Sequence, residues 1–237
     1  GPLLIVAGAG AGKTKTIAHR ILHLIHQGVP PQQILAITFT NKAAREMRER
    51  VEKLLHETMT RLNSEFSTTY NLQPTTFPFL STFHSLGVQL LKENAQLLGT
   101  TRYFSILDKS ESLSLIKRAL KDLGLNQKVE EPNKLQAIIS REKNKLVTQE
   151  QFAATKAESW YHETAVKVWR KYEELLVAAK AYDFDDLILK PVLLFRQHPA
   201  VLARYQERWR YIHIDEYQDT NVAQYELSRL LAEKYKN

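Results

Sequence analysis

The chain has 237 residues, of which 43% are hydrophobic and 25% charged, a globular composition that excludes a mostly disordered or fibrous protein. A net charge of +7 suits a polyanionic partner without demanding one. The absence of cysteine excludes disulfide scaffolds, thiolate metal sites and cysteine nucleophiles. Residues 3–6 (LLIV) form a short apolar run, predicted as a strand, that breaks into AGAGAGKT at 7–14. Apolar residues then recur at helical spacing at Ile17, Ile21, Leu22 and Ile25, and Gly28 with Pro30 and Pro31 ends that helix. Residues 34–39 read as a second buried strand, followed by a helix through Ala44, Met47, Val51 and Leu54. This alternation implies an α/β layer with a mainly parallel sheet. Residues 58–76 are polar, rich in Ser, Thr and Asn, and read as a long surface loop. From about Thr101 to Asp183 the pattern is helical, with stripes at Leu113, Ile116, Leu120 and Leu123 and at Ala165, Val168, Tyr172 and Leu175. No alternating strand shows there, so the stretch is predicted as an all-helical insertion. Residues 211–214 are β-prone, and Asp215 and Glu216 follow at once. No apolar stretch nears the roughly 20 residues a membrane span needs and no secretory signal is visible, so a cytoplasmic location without membrane contact is expected.

AGAGAGKT fits the phosphate-loop (Walker A) pattern, with Ala7 in place of the first glycine. Small residues at Gly8, Ala9, Gly10, Ala11 and Gly12 let the backbone curl so that its N–H groups face phosphate oxygens. The helix beginning near Gly12 adds its positive end. Lys13 is placed to reach the β- and γ-phosphates of ATP, and the Thr14 hydroxyl to sit on Mg²⁺. A hydrolase of this kind also needs a buried strand that delivers a carboxylate to the metal beside the loop. The run ending in Asp215 and Glu216 supplies it, with Asp215 facing Mg²⁺ and Glu216 as candidate base toward water. Strands that serve one site are neighbours in space, so the long intervening segment must be looped out.

The strings AGAGAGKT, TFTNKAAREMRERV (38–51), STFHSLGVQLL (81–91), DFDDLI (183–188) and IDEYQDTN (214–221) resemble the UvrD/Rep/PcrA group of superfamily 1 DNA helicases, in order and spacing. The resemblance implies an α/β, RecA-like P-loop NTPase core with a mainly parallel sheet, interrupted by the helical subdomain. It divides the chain into core (1–98), insertion (99–183) and core again (184–237). It further implies ATP-driven translocation in the 3′-to-5′ direction on single-stranded DNA, with single-strand/duplex junctions as substrates. Lys13, Glu216 and Gln218 take the catalytic positions, Gln218 as the link between nucleotide state and DNA. The nucleotide loop spans Gly8 to Lys15, where Lys15 replaces the common arginine and Ala11 the common serine. Thr38, Phe39, Thr40, Asn41 and Lys42, with Thr82, Phe83 and His84, fall on DNA-contacting motifs. Phe39 and Phe83 would offer faces for base stacking, worth about 1–3 kcal/mol per base, although Phe39 also reads as the core residue that closes a strand. By the same resemblance, an adenine-reading glutamine motif would precede Gly1, and a second core with its arginine fingers would follow Asn237.

Two alternatives stand beside the motor: the helicase half of a helicase–nuclease, and a nucleotide-dependent DNA-binding module without catalysis. A small-molecule kinase has no reason to carry TFTNKAA or DEYQDT. His19, His23 and His26 share a helix face but have no accompanying carboxylate, and are read as solvated or packing residues. His213 is read as packed, Trp160 and Trp169 as core. Arg141, Lys143 and Lys145 form a basic run whose ordinary meaning is a solvated face, with duplex phosphates as the other reading. The net charge is +4 over 1–98, +3 over 99–183 and zero over 184–237, so the basic excess lies on the segments with the proposed DNA contacts.

Overall fold

The computed structural model describes residues 1–8, 10–66, 77–126, 130–155 and 160–237, with backbone alone at 59, 61–66 and 160. Its elements begin with α1 (Lys13–His26), β1 (Ile34–Thr38), α2 (Asn41–Phe66), β2 (Phe79–Thr82), α3 (Phe83–Glu93) and β3 (Ser105–Leu107). Then come α4 (Lys109–Asp122), α5 (Pro132–Asn144), α6 (Gln149–Ala154), α7 (Trp160–Ala178) and β4 (Ala181–Asp183). The last are α8 (Asp186–Gln197), α9 (Pro199–Arg208), β5 (Tyr211–Ile214) and α10 (Val222–Ala232). Contacts divide them into two compact units, one of Gly1–Ser85, His198–Asp219 and Ser228–Asn237, the other of Leu86–Gln197 and Thr220–Leu227. The second unit is thus wider than the expected 99–183 and takes a separate piece after Asp219. Hydrophobic pattern marks helices, whereas a unit boundary depends on which helix faces meet.

In the first unit β2, β1 and β5 form a parallel sheet in that order, with Thr38 opposite Thr82 and Ile37 opposite Ile214. All five β1 residues are buried, as a central parallel strand covered on both faces requires. Ala18, Ile21 and Leu24 of α1 and Met47 and Val51 of α2 close over Ile34, Ala36 and Leu80. The α1 helix ends where Gly28 turns at φ 83°, its N–H on the Ile25 carbonyl and that of Val29 on Leu24. Two expectations change here. Residues 3–6 form no strand, and Leu3, Leu4 and Val6 are 73%, 72% and 87% exposed. An apolar run records a demand for burial, but a strand also needs a paired edge, and among the described residues neither sheet edge pairs with it. The stretch 58–66 continues α2 instead of looping out, with the Thr58 and Thr60 hydroxyls bonded back to the carbonyls of Leu54 and His56. The rest of the expected loop, 67–76, lies outside the described residues.

The second unit is built on α4, α5 and α7, whose Ile116, Leu120, Leu135, Ile139, Val168, Trp169 and Tyr172 make one core. It is not all-helical, because β3 and β4 pair in parallel, Ser105 with Ala181 and Leu107 with Asp183. Strands of three residues are too short to show alternation. The α3 and α8 helices meet at Gly87, where a Cβ would lie 1.8 Å from the Leu187 carbonyl oxygen, so only glycine fits. The basic run at 141–145 also differs from its surface reading. Arg141 and Lys145 pair with Glu142, but Lys143 is 1% exposed and touches Asp183 at 2.8 Å and Asp186 and Glu173 at 2.9 Å each. The Tyr172 hydroxyl donates to Asp183, and the indole of Trp169, a core residue, to Glu173. Burial works against the Lys143 charge, yet Asp186, Asp183 and Glu173 together raise its pKa well above the usual value. Burial and then Asp183 push Asp186 up to about 7. Burial opposes ionisation of Glu173 as well, but Lys143 and Lys190 hold it down to about 2. Among the described residues no helix is long and apolar enough to cross a membrane. The side chain of Trp160 lies outside the described residues.

Candidate functional site

The site residues of the first unit gather where its parallel strands end. Beyond Val6 the loop turns through the Ala11 N–H on the Gly8 carbonyl at 3.2 Å, and Gly10 and Gly12 take φ of 75° and 86°, a region costly for any side chain. Ala9 lies outside the described residues. Gly12 precedes α1, whose first turn holds no acidic residue, so its N-terminal N–H groups keep their positive field. Lys13 and Thr14 begin that helix and are half-buried, while Lys15 points to solvent.

Across the site, the Asp215 N–H bonds to the Ile37 carbonyl at 2.9 Å and so carries the β1–β5 ladder one residue past the strand. That seats a 4% exposed carboxylate beside the loop, where the Thr14 hydroxyl donates to its Oδ2 at 2.8 Å. Glu216 then turns out at φ 49°, a left-handed conformation that costs a non-glycine residue about 1 kcal/mol or more. The turn brings its Oε1 to 3.4 Å from Lys13 Nζ, and Gln218 Nε2 donates to Oε2 at 2.6 Å. The Gln218 bond and then Lys13 lower the Glu216 pKa, so the group is ionised at neutral pH. The hydroxyl of Thr14 and the carboxylate of Asp215 are hard oxygen donors side by side, the kind Mg²⁺ takes alongside phosphate and water.

The other expected residues separate into two groups. Thr40, Asn41 and Lys42 are exposed at the start of α2, and Phe39 and His84 are half-buried. Thr38, Thr82 and Phe83 are only 3%, 5% and 1% exposed. Phe83 packs edge-on against Phe39, with ring centroids 5.6 Å apart, so it holds Phe39 in place and has no free face for a base. The ring expected to offer a stacking face thus lies buried at the head of α3. Two threonines have a role that was not anticipated: Thr40 Oγ1 accepts the Ala43 N–H and Thr82 Oγ1 the Ser85 N–H, capping α2 and α3. Threonine three residues before the bonded N–H is a readable sign of a cap. His213 is half-buried on β5, its Nε2 has no hydrogen-bond partner among the described residues, and burial with Arg20 nearby lowers its pKa to about 4, so it is neutral.

Comparison with known families gives a match to the UvrD/REP helicase N-terminal domain over residues 1–237. The chain belongs to this family. Its relatives include the ATP-dependent DNA helicase PcrA of Leuconostoc citreum, Bacillus subtilis (strain 168) and Staphylococcus aureus, each 43% identical over 238 aligned positions. The alignments cover 100% of this chain and 30% of each relative, so the chain spans about a third of the curated relatives it matches. An α/β chain with parallel sheets and many helices fits the UvrD/REP domain.

Proposed function

We propose that this chain is the nucleotide-binding, strand-contacting portion of an ATP-dependent DNA helicase or translocase with a RecA-like core, moving 3′ to 5′ on single-stranded DNA and acting at single-strand/duplex junctions. The observation that carries the reading is the meeting of Lys13 and Thr14 with Glu216 and Asp215, Thr14 and Asp215 being 201 positions apart. Each pair joins a phosphate-side group to a carboxylate. Thr14 and Asp215 would hold Mg²⁺, which supplies charge neutralisation at the phosphates when bound. The phosphates of ATP compete with Glu216 for Lys13, and drawing Lys13 away leaves Glu216 to accept a hydrogen bond from water. A carboxylate held below its usual range is a weak proton acceptor, so orienting that water is its main task. Gln218, bonded to Glu216, is placed to sense its position. Phe39 with Thr40, Asn41, Lys42 and His84 forms the strand-contacting set, stacking and phosphate binding without base reading. A cysteine-free chain acting on DNA suits the reducing cytoplasm, the compartment we assign to it.

The test compares full-length protein with its Lys13→Ala and Glu216→Gln variants in ATP hydrolysis with and without oligo-dT. Both variants lose DNA-stimulated turnover, and Glu216→Gln keeps ATP binding; unchanged stimulated turnover in Lys13→Ala refutes the reading. An arginine finger contributes about 10³–10⁵ in rate to phosphoryl transfer. The family resemblance puts that arginine outside residues 1–237, so the chain alone should hydrolyse ATP very slowly.

A further inference from the structure

The chain that leaves Glu216 and Gln218 passes into the helix-rich unit at Thr220, and its next residue is held there by side-chain bonds. Asn221 caps α10: its Oδ1 accepts the Gln224 N–H at 2.9 Å and its own N–H donates to Gln224 Oε1 at 3.1 Å. With Oδ1 so committed, the amide nitrogen of Asn221 faces Asn144 and donates to its Oδ1 at 2.5 Å. The Asn144 amide nitrogen in turn donates to the Ser140 carbonyl at 2.8 Å and to Asp185 Oδ1 at 2.7 Å. A backbone donor stands at one end and acceptors, a carbonyl and a carboxylate, at the other. Neither amide can turn over without setting oxygen against oxygen, so the order of donors is fixed. The acceptor end is also firmly seated, since the neighbours of Asp185 and Asn144 are Asp186 and Lys143 of the buried ion cluster.

We propose that Asn221, Asn144 and Asp185 form a directional hydrogen-bond relay that anchors the chain leaving the nucleotide carboxylates on the helix-rich unit and couples ATP turnover to DNA. Asn221 is a positioning residue: it acts through the backbone that carries Glu216 and Gln218. The inference rests on the ATPase reading above and adds how that site is regulated. The relay takes nothing from the helix cap, because Asp caps a helix as well as Asn does. Asn221→Asp therefore keeps the cap and changes the one donor facing Asn144 into an acceptor.

In full-length protein, Asn221→Asp should leave the KM for ATP and the DNA-free turnover within about twofold of the parent, while kcat with saturating oligo-dT falls about tenfold, the usual size of a lost coupling. Asp185→Asn alone keeps an oxygen that can accept from Asn144 and should stay within about threefold of the parent. Combined, the two changes reverse donor and acceptor at both side-chain links: the new amide at position 185 donates to Asn144, and Asn144 donates to the new carboxylate at position 221. The double variant should recover the stimulated rate to within about threefold of the parent, short of full recovery because the Ser140 carbonyl loses its donor. An unaltered stimulated rate in Asn221→Asp, a parallel fall in DNA-free and stimulated rates, or a double variant no better than Asn221→Asp overturns the relay. A parent protein that does not respond to oligo-dT overturns the ATPase reading and the relay with it.

Discussion

Lys143→Met tests the buried ion cluster, because methionine keeps most of the lysine stem and removes its charge. The lysine is 1% exposed and is the shared partner of Asp183, Asp186 and Glu173, at 2.8, 2.9 and 2.9 Å. Without it, Lys190 at 3.4 Å from Glu173 is the remaining cation paired with these carboxylates among the described residues. Removing one partner of a buried pair costs about 3–5 kcal/mol, against roughly 5–15 kcal/mol for a whole domain. Asp186 limits the loss by taking up a proton, since its pKa already stands at about 7. A net destabilisation of about 3 kcal/mol follows, a large part of the stability of this unit. Urea unfolding at pH 7.5 should show a lower midpoint at unchanged slope. Adding Asp183→Asn and Asp186→Asn to Lys143→Met should regain much of the loss, because the stranded Asp183 charge is removed and Asp186 no longer has to take up a proton. A loss under about 0.5 kcal/mol, as for a surface lysine, would refute the cluster as a structural centre. Weaker duplex binding at unchanged stability would restore the DNA reading of the run.

Gly87→Ala should destabilise despite the gain of about 1 kcal/mol in helix propensity, because relieving a 1.8 Å approach to the Leu187 carbonyl forces α3 and α8 apart; calorimetry showing a higher Tm would contradict that. Because the folded pKa of Asp186 is raised, the folded state holds a proton that the unfolded state has lost, so this group makes stability fall as pH rises from about 4 to about 7. Asp186→Asn should flatten the Tm profile over that window, and parallel profiles would count against it. Glu173, held down to about 2, acts in the opposite sense, and its contribution is lost only as pH falls below the ordinary glutamate range. Phe39→Ala should weaken oligo-dT binding with a small stability change, whereas Phe83→Ala should cost about 3–5 kcal/mol of stability. Equal effects of the two on both measurements would remove the distinction between a DNA face and its support.

Local chemistry was legible in the sequence, and long-range pairing was not. Gly10 and Gly12 permit the left-handed backbone that they adopt, so the loop could be read from residue types. The buried β1 was legible as a continuous apolar run, but β2 was not, since Phe79–Thr82 mixes apolar and hydroxyl residues over four positions. The residues at 3–6 show the converse: a β-prone run is no strand without a neighbour. Lys143 was hidden because its partners Asp183 and Asp186 lie 40 and 43 positions away, and a lysine between two other cations looks solvated. Asn221 sat in plain view within IDEYQDTN, but its partner Asn144 is 77 positions upstream.

The 201 positions between Thr14 and Asp215 also set an order of assembly. Folding the continuous stretch Leu86–Gln197 first would shorten the effective loop by about half, which changes the closure entropy by only about 0.6 kcal/mol. In time the effect is larger, because contacts of long sequence separation form slowly and synthesis delivers the N-terminal residues first. The phosphate loop emerges early but meets its carboxylates only after β5 has paired with β1. A ligand stabilises only the state that binds it. On the proposed function, nucleotide therefore protects the finished fold and gives no help to a chain still being made.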